Sequence, residues 1–266
     1  MEIRRGIYYN LENNAYHKSK GLSKSDLDQL HRSAAHYYAS KTCKEPPTPA
    51  MLFGSAFHCF VLEPERFQRE YATAPNIDKR TKEGREAWVK LEASGKNIIS
   101  AEDLKTIADM RESLMLNPVA SELISKTEHE VSAYAEINNV LCKCRPDIWS
   151  KDLAVMADLK TTLDASPAAF MKAVANLRYY VQDAWYREVW ERAGGGKARE
   201  FVFLAVEKKP PYGVGVYFLH PDAKKQGWAE ALHDMNVYTT ALENDEWTAY
   251  SENPVELELP RWAQNF

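Results

Sequence analysis

The chain has 266 residues, of which 45% are hydrophobic and 11% aromatic, and its formal net charge is −4. This length and composition favour one large domain with a true core and exclude an intrinsically disordered chain. The weakly acidic balance excludes a globally basic protein, so a nucleic-acid partner would need local basic charge and metal ions that offset site carboxylates.

The four cysteines, Cys43, Cys59, Cys142 and Cys144, are too few and too unevenly spaced for a disulfide scaffold. This favours a reducing compartment. The N-terminus lacks the apolar run of a signal peptide, and no stretch approaches the roughly 20 apolar residues of a membrane span. We therefore expect a soluble, cytoplasmic protein with no membrane partner.

The sequence predicts that the first half of the chain is mainly helical. Ser23 or Ser25 caps the first predicted helix, and Pro64 ends the second. The run Lys44–Pro49 between these two helices is a loop because three of its residues are prolines. The predicted helices cover residues 22–40, 49–62, 83–94 and 101–117.

The centre of the chain changes to an alternating pattern that predicts three antiparallel strands in a meander. These strands cover residues 130–137, 140–149 and 153–160. One long helix follows, with Ser166 as its N-cap and Gly194 at its end. Two more strands near 200–207 and 213–219 and a helix over 221–243 complete the pattern. The order predicts an α/β fold with a mixed sheet flanked by helices.

We expect a single domain over residues 1–266. Its mainly helical N-terminal part covers 1–125, its catalytic core 126–220, and its C-terminal helix and tail 221–266.

Asp158 and Lys160 lie two residues apart on a predicted strand, so both side chains project from the same face. The apolar run 153–157 before them is typical of a buried strand. A hairpin would place Asp147, on the preceding strand, opposite Asp158. Pro146 removes one ladder donor, so we expect a bulge or an unpaired segment there that re-aims Asp147.

These residue types suit a metal-dependent nuclease. Carboxylate oxygens are the ligands that Mg²⁺ prefers, and the metal activates water and neutralises charge on a phosphodiester. Lys160 would position the attacking water and stabilise developing charge. Asp158-x-Lys160 alone is more typical of a surface hairpin with a salt bridge, but Arg145-Pro146-Asp147 at hairpin spacing favours the nuclease interpretation.

Further candidates lie on both sides of this hairpin. Gln182 and Tyr186, one helical turn apart beside the apolar stripe of the next helix, could hold a DNA phosphate or strand end. Alone, this pair is also typical of an ordinary amphipathic helix. His58, on the helix over 49–62, could be a metal ligand or a structural histidine. Glu130 could bind metal through water, orient the nucleophile, or be an edge-strand glutamate.

The densest basic cluster could contact DNA phosphates, although a solvated charge run is the alternative. Its members are Lys79, Arg80, Lys82 and Arg85.

Together these residues resemble the PD-(D/E)XK nuclease superfamily, in the branch marked by the Gln-x-x-x-Tyr motif. Within that branch the chain resembles the C-terminal nuclease domain of RecE-type recombination exonucleases. The stretches that carry the resemblance are Gly6-Ile7-Tyr8-Tyr9, Leu22-Ser23-Lys24-Ser25-x-Leu27, Gly54-x-Ala56-Phe57-His58-Cys59, Leu62-Glu63-Pro64-Glu65, Cys142-x-Cys144-Arg145-Pro146-Asp147, Asp158-Leu159-Lys160-Thr161-Thr162, Val181-Gln182-Asp183-Ala184-x-Tyr186 and Leu259-Pro260-Arg261-Trp262-Ala263.

The resemblance implies a role for each matched site residue. Lys160 would be the catalytic lysine, and Gln182 and Tyr186 would contact DNA. The implied metal ligands are His58, Asp147, Asp158 and the backbone carbonyl of Leu159.

The family resemblance also implies an activity and partners. It implies that the protein degrades linear double-stranded DNA in the 5′→3′ direction and leaves 3′ single strands. The implied cofactor is Mg²⁺, for which Mn²⁺ can substitute. A RecT-like single-strand annealing protein would use those strands. It further implies a ring-shaped homo-oligomer, with a tetramer favoured, in a bacterial cytoplasm and from a phage or prophage gene. Because the long N-terminal extension of full-length RecE is missing, we expect the catalytic domain alone.

An alternative from another class is a non-catalytic protein that keeps the fold and binds DNA ends as a scaffold. The presence of every implied ligand and of Lys160 argues against it.

Overall fold

The computed structural model describes residues 3–43, 46–251, 253–260 and 263. Arg261 and Trp262 of the last matching stretch lie outside the described residues. The helices are α1 (Asn13–Lys18), α2 (Lys24–Arg32), α3 (Ala34–Thr42), α4 (Pro49–Leu62), α5 (Pro64–Glu70), α6 (Lys82–Ala93), α7 (Ala101–Leu116), α8 (Pro118–Ser125), α9 (Pro167–Asn176), α10 (Tyr179–Trp190) and α11 (Pro221–Asn244). The strands are β1 (Gly6–Tyr8), β2 (Tyr71–Thr73), β3 (Asn97–Ile99), β4 (Glu128–His129), β5 (Ser132–Ile137), β6 (Val140–Cys144), β7 (Ile148–Ser150), β8 (Val155–Thr162), β9 (Glu200–Glu207) and β10 (Val214–Phe218).

The predicted α/β class with a mixed sheet flanked by helices is confirmed. The central sheet has five strands in the order β10-β9-β8-β7-β4. Strands β8 and β9 are parallel, and the other neighbouring pairs are antiparallel. A second sheet has the order β1-β5-β6, and β2 and β3 form a small parallel pair. In the described part of the chain, no helix is long and apolar enough to cross a membrane.

The chain divides into two compact units. The first comprises the described residues within Met1–Lys24 and Glu45–Ala231, and the second those within Ser25–Lys44 and Leu232–Phe266. Inside the second unit, the ring of Tyr37 stacks on Trp247 at 5.7 Å between centroids. The predicted division into an N-terminal part, a core and a C-terminal tail stays a prediction.

The first predicted helix, over 22–40, is two helices that meet at Ser33. Ser33 has an extended backbone with φ 178°, and its Oγ accepts a hydrogen bond from the N–H of His36. Ser33 is therefore the N-cap of α3. A serine inside a helical pattern can end one helix and begin the next because its hydroxyl competes with the backbone carbonyls for N–H groups.

The predicted meander is divided between the two sheets. Strand β6 ends at Cys144 in the three-stranded sheet, and β7 begins at Ile148 in the central sheet. The interruption falls on Arg145-Pro146-Asp147, where Pro146 has no N–H for a ladder. The expected unpaired segment at Pro146 is confirmed, and its effect is larger than expected because the chain changes sheets there.

Strand alternation sends the side chains of β8 to two different faces. On one face Ala157 and Leu159 enter the main core of the first unit, which α4, α7 and α8 cover. On the other face Asp158 and Lys160 both contact Gln182 of α10. The predicted common face of Asp158 and Lys160 is thus confirmed, and it faces the helix that carries Gln182.

The prediction of a single helix from Ser166 to Gly194 is wrong. Helix α9 ends at Asn176, α10 starts at Tyr179, and a π-helical turn follows at Glu191–Gly195. Between the two helices, Arg178 takes a left-handed backbone with φ 52°, and an ion pair of 3.3 Å to Glu230 holds its guanidinium. Leu177, an apolar residue at the break between the two helices, is 53% exposed.

Candidate active site

His58 reaches the candidate site from the middle of α4. This helix has the predicted bounds because Thr48 caps it, its Oγ1 accepting from the N–H of Met51, and because Pro49 occupies the first position. His58 is half-buried, and its Nδ1 lies 3.2 Å from Oδ2 of Asp147. Helix α4 therefore places the His58 ring against Asp147, in the segment where the chain passes from one sheet to the other.

Asp147 directly precedes β7, at a position where β8 has no backbone ladder partner on that side. The pairs Ile148↔Ala157 and Ser150↔Val155 set the register between β7 and β8, which places Asp147 opposite Asp158 as the sequence predicted. Because β7 starts only at Ile148, the N–H of Leu159 finds Oδ2 of Asp147 instead, at 2.7 Å. The carboxylate is thereby fixed by the backbone of β8.

Glu130 lies between β4 and β5, and its N–H donates to the carbonyl of Asp147 at 3.0 Å. Its backbone is left-handed with φ 52°, an uncommon conformation for a residue with a side chain. Ligand atoms of Glu130, Asp147 and His58 all lie within 4.8 Å of one another. The structure thus brings the three residues together from helix α4 and from two segments that connect strands.

A second group of side chains surrounds the predicted catalytic lysine. Nζ of Lys160 lies 2.6 Å from Oδ2 of Asp158 and donates to Oε1 of Gln182 at 3.0 Å. The amide nitrogen of Gln182 donates to Oδ1 of Asp158. Asp158, Lys160 and Gln182 therefore form a closed ring of polar contacts, in which the Gln182 side chain bridges the acid and the base.

Asp147 and Glu130 line a cleft of ≈ 430 Å³ together with His58 and Tyr186. Tyr186 packs edge to face on Phe201, at 5.9 Å between ring centroids. A larger groove of ≈ 950 Å³ opens beside the N-terminal segment, but it is lined by residues such as Tyr9 and none of the candidate site residues. The smaller cleft is therefore the one that contains the cluster of His58, Glu130 and Asp147.

Electrostatics in the site are dominated by crowded carboxylates. Burial opposes the imidazolium of His58, but the Asp147 carboxylate outweighs it and raises the pKa of His58 to about 9. Burial and repulsion from Asp147 raise the pKa of Glu130 to about 8 and also raise the pKa of Asp158. Burial works against the Asp147 carboxylate, yet its pKa is lowered because His58 and Lys160 stabilise the anion.

The residues present fit a divalent cation. Carboxylate oxygens are hard ligands that suit Mg²⁺ and Mn²⁺, and an imidazole nitrogen is a common ligand of divalent transition metals. Oδ2 of Asp158 is buried and accepts no aligned hydrogen bond, although Nζ of Lys160 lies 2.6 Å away in an ion pair. It therefore retains acceptor capacity. A cation would also relieve the repulsion that raises the pKa values of Glu130 and Asp158.

The predicted ligands divide into two sets. His58, Asp147 and Glu130 form the compact cluster, whereas the carboxylate of Asp158 is engaged by Lys160 and Gln182. The roles of Asp158 and of the Leu159 carbonyl as ligands stay predictions.

The basic cluster lies outside the cleft lining. Lys79, Arg80, Lys82 and Arg85 are all exposed. The guanidinium of Arg80 pairs with Asp78 at 2.9 Å. Nζ of Lys79 lies 3.3 Å from the centroid of the Trp88 ring. Contact of this cluster with DNA stays a prediction.

Arg145 has a place in the site that the sequence analysis missed. Its guanidinium donates to Oγ of Ser132 at 2.8 Å and to Oδ1 of Asn13 at 3.0 Å, and it lies 3.9 Å from Oε2 of Glu130. It is only 7% exposed. The available signal was the pair Lys143 and Arg145, two cations at alternate positions of the predicted strand over residues 140–149.

Comparisons with known proteins agree with the α/β fold described above. The family model described as "PDDEXK-like domain of unknown function (DUF3799)" matches residues 23–257. A crystal structure from Eubacterium rectale, described as a "putative exonuclease", is similar with a TM-score of 0.65 and 14% identity, covering 94% of this chain and 96% of that chain. The crystal structure of SSO0001 has a TM-score of 0.30 and 13% identity, covering 69% of this chain and 85% of that chain. No curated protein matches the chain significantly.

Proposed function

The chain belongs to the family of PDDEXK-like domains, and on that premise we propose that it is a metal-dependent 5′→3′ exodeoxyribonuclease of the RecE type. Its substrate would be linear double-stranded DNA. One observation carries the proposal: the cluster of His58, Glu130 and Asp147 adjoins the Asp158–Lys160 pair through the hydrogen bond from Leu159 to Asp147. The similarity to the Eubacterium rectale structure and its description as an exonuclease support the same activity.

His58, Glu130 and Asp147 would hold a divalent cation, Mg²⁺ or in its place Mn²⁺, with Asp158 and the Leu159 carbonyl as proposed further ligands. When bound, such a cation lowers the pKa of coordinated water and offsets charge on the phosphodiester. The buried position of Asp147 limits competition from bulk water for the site.

Lys160 supplies the positive charge of this chain at the reacting phosphate. Its ammonium is charged, because burial works against the charge but the Asp158 carboxylate raises its pKa. In the proposed reaction it donates a hydrogen bond to the nucleophile or to a non-bridging phosphate oxygen. Gln182 would hold the side chains of Lys160 and Asp158 in fixed positions relative to each other. Tyr186 would contact the DNA strand in the cleft through its hydroxyl and its ring.

The wider setting belongs to the same proposal. The 3′ strands left by digestion would be taken up by a RecT-like annealing protein, in the cytoplasm of a bacterial host and with a phage or prophage origin. The nuclease would work as a ring-shaped homo-oligomer, a tetramer, around the duplex.

Digestion of linear duplexes labelled at the 5′ or the 3′ end, with Mg²⁺ and with or without a 5′ phosphate, tests the activity and its polarity. We expect early release of the 5′ label and a loss of about 10²–10³-fold in rate for Lys160→Ala, the cost of removing one preorganised donor. Lys172→Ala, an exposed lysine of α9, is the matched control. Equal rates for wild type and Lys160→Ala would contradict the assignment of Lys160 to the active site. Binding of duplex ends without hydrolysis under Mg²⁺ or Mn²⁺ would instead show a non-catalytic end-binding protein.

A further inference from the structure

The ammonium of Lys160 has a third neighbour besides Asp158 and Gln182. Its Nζ lies 4.4 Å from the centroid of the Tyr179 ring. A cation within about 6 Å of an aromatic ring centroid is attracted by the negative face of the ring, and the attraction grows as water is removed. Lys160 is therefore held by an anion, an amide oxygen and an aromatic ring.

Tyr179 is itself well placed to act as a fixed support. It is the first residue of α10, directly after the left-handed turn at Arg178. Its ring is stacked on Phe203 of β9, with 5.6 Å between centroids and an interplanar angle of 22°. Phe203 is fully buried, so the Tyr179 ring rests on a rigid part of the sheet.

Tyr179 shares a helix face with the two predicted DNA-contacting residues. Residues at i, i+3 and i+7 lie on one side of a helix, and Tyr179, Gln182 and Tyr186 have this spacing. Two of the three contact Lys160, and the third lines the cleft. Helix α10 starts at Tyr179, after the break from α9, so the Tyr179 ring lies in the first turn of the helix that carries Gln182 and Tyr186.

We propose that Tyr179 is a positioning residue whose aromatic ring fixes the ammonium of Lys160 for the cleavage reaction. The inference rests on the proposed nuclease function for its catalytic consequence, but the contact between ring and ammonium can be measured without it. This role requires the face of the aromatic ring and does not require the phenolic hydroxyl.

The test uses four variants of the full chain. Tyr179→Phe keeps the ring, and Tyr179→Leu removes it while retaining an apolar side chain. Tyr179→3,4,5-trifluorophenylalanine keeps the shape but weakens the negative face of the ring. Tyr180→Leu is the matched control, because Tyr180 donates to Glu230 at 2.8 Å and lies on a different side of α10.

The direct readout is the NMR signal of the Lys160 ε-methylene group in protein with ¹³C-labelled lysine, assigned through Lys160→Arg. We expect an upfield ring-current shift in wild type, Tyr179→Phe and Tyr180→Leu, and its loss in Tyr179→Leu. An unchanged Lys160 signal in folded Tyr179→Leu would overturn the proposal. If Tyr179→Leu does not fold, the trifluoro variant decides through the kinetic readout.

The kinetic readout is the division of the effect between kcat and KM for duplex digestion with Mg²⁺. We expect kcat to fall about tenfold in Tyr179→Leu, and by less in the trifluoro variant, with KM within about twofold of wild type. Tyr179→Phe should match wild type, and equal kcat in Tyr179→Phe and the trifluoro variant would overturn the role of the ring face. An inactive wild type would contradict the proposed nuclease function, while the NMR shift would still decide whether Tyr179 positions Lys160.

Discussion

The backbone N–H of Leu159 donates a hydrogen bond of 2.7 Å to Oδ2 of Asp147. This contact joins the two halves of the candidate site, since Leu159 stands between Asp158 and Lys160 on β8, and Asp147 belongs to the cluster with His58 and Glu130. A carboxylate that accepts a backbone N–H is held in one rotamer without using a side chain. The separation between the acidic cluster and the lysine is therefore set by the sheet.

Replacing Asp147 by alanine tests the importance of this residue. Asp147→Ala removes one carboxylate of the cluster and leaves His58 without its ion-pair partner. We expect cleavage of linear duplex to fall by at least about 10²-fold, the scale of losing one electrostatic group at a reacting centre. Calorimetric titration with Mg²⁺ should show the parallel loss of affinity.

The control for this variant is Asp152→Ala. Asp152 is an exposed aspartate in the turn between β7 and β8, close in sequence but outside the cleft lining. It should keep wild-type affinity and rate. Mg²⁺ affinity that is equal in wild type and Asp147→Ala would remove Asp147 from the ligand set.

Much of the site was predictable because strand and helix periods are local properties of the sequence. The register that puts Asp147 opposite Asp158 follows from a short turn, and the bounds of α4 follow from Thr48 and Pro49. The same periodicity places Asp158 and Lys160 on one face. Such patterns depend on neighbours within a few residues, so no knowledge of the rest of the fold is required.

The parts that were missed depend on contacts between residues far apart in the chain. Arg178 breaks the predicted long helix, and its partner Glu230 is 52 residues away. Arg145 is fixed by Asn13, at a separation of 132 residues. The left-handed backbone of Glu130 likewise has no signature in its own residue type. Local patterns cannot report such partners, because tertiary contacts override local preference.

Metal binding should depend on pH in a direction set by the raised pKa values of Glu130 and His58. Burial and the Asp147 carboxylate raise the pKa of Glu130 to about 8, and Asp147, against the effect of burial, raises that of His58 to about 9. A cation needs both groups deprotonated, so its binding releases protons and its affinity rises as pH increases toward 9. Calorimetry in buffers of different ionisation enthalpy counts the protons.

The single variants Glu130→Gln and His58→Gln should each release fewer protons on binding than wild type. Glu65→Gln, which changes an exposed glutamate of α5, is the control and should behave as wild type. Affinity that stays constant between pH 6 and 9 would show that neither group carries a displaceable proton.

Gln182 should matter for stability as well as for activity. Its side chain donates to Asp158 and accepts from Lys160, and it is 5% exposed. In Gln182→Leu both charged partners lose a buried hydrogen bond, which costs about 1–3 kcal/mol in the free energy of unfolding. Urea denaturation of the protein measures this loss.

The matched control is Gln226→Leu. Gln226 is exposed on α11 and donates to Glu230 at 3.0 Å. A surface change of this kind should alter the free energy of unfolding by less than about 0.5 kcal/mol. If the two variants lose equal stability, the contacts of Gln182 with Asp158 and Lys160 are not an important part of the fold.

The basic cluster at the start of α6 should affect DNA binding but not the chemical step. Lys82 and Arg85 are exposed and lie outside the cleft lining, so their charges can act only through DNA backbone contacts away from the reacting phosphate. In the double variant Lys82→Gln/Arg85→Gln, the slope of log binding constant against log salt should fall by about 0.9 for each phosphate contact that is lost. We expect KM to rise and kcat to remain unchanged. The double variant Lys126→Gln/Lys172→Gln, which changes two exposed lysines, removes the same net charge and is the control. A salt slope that is the same in all three proteins would place the DNA path elsewhere.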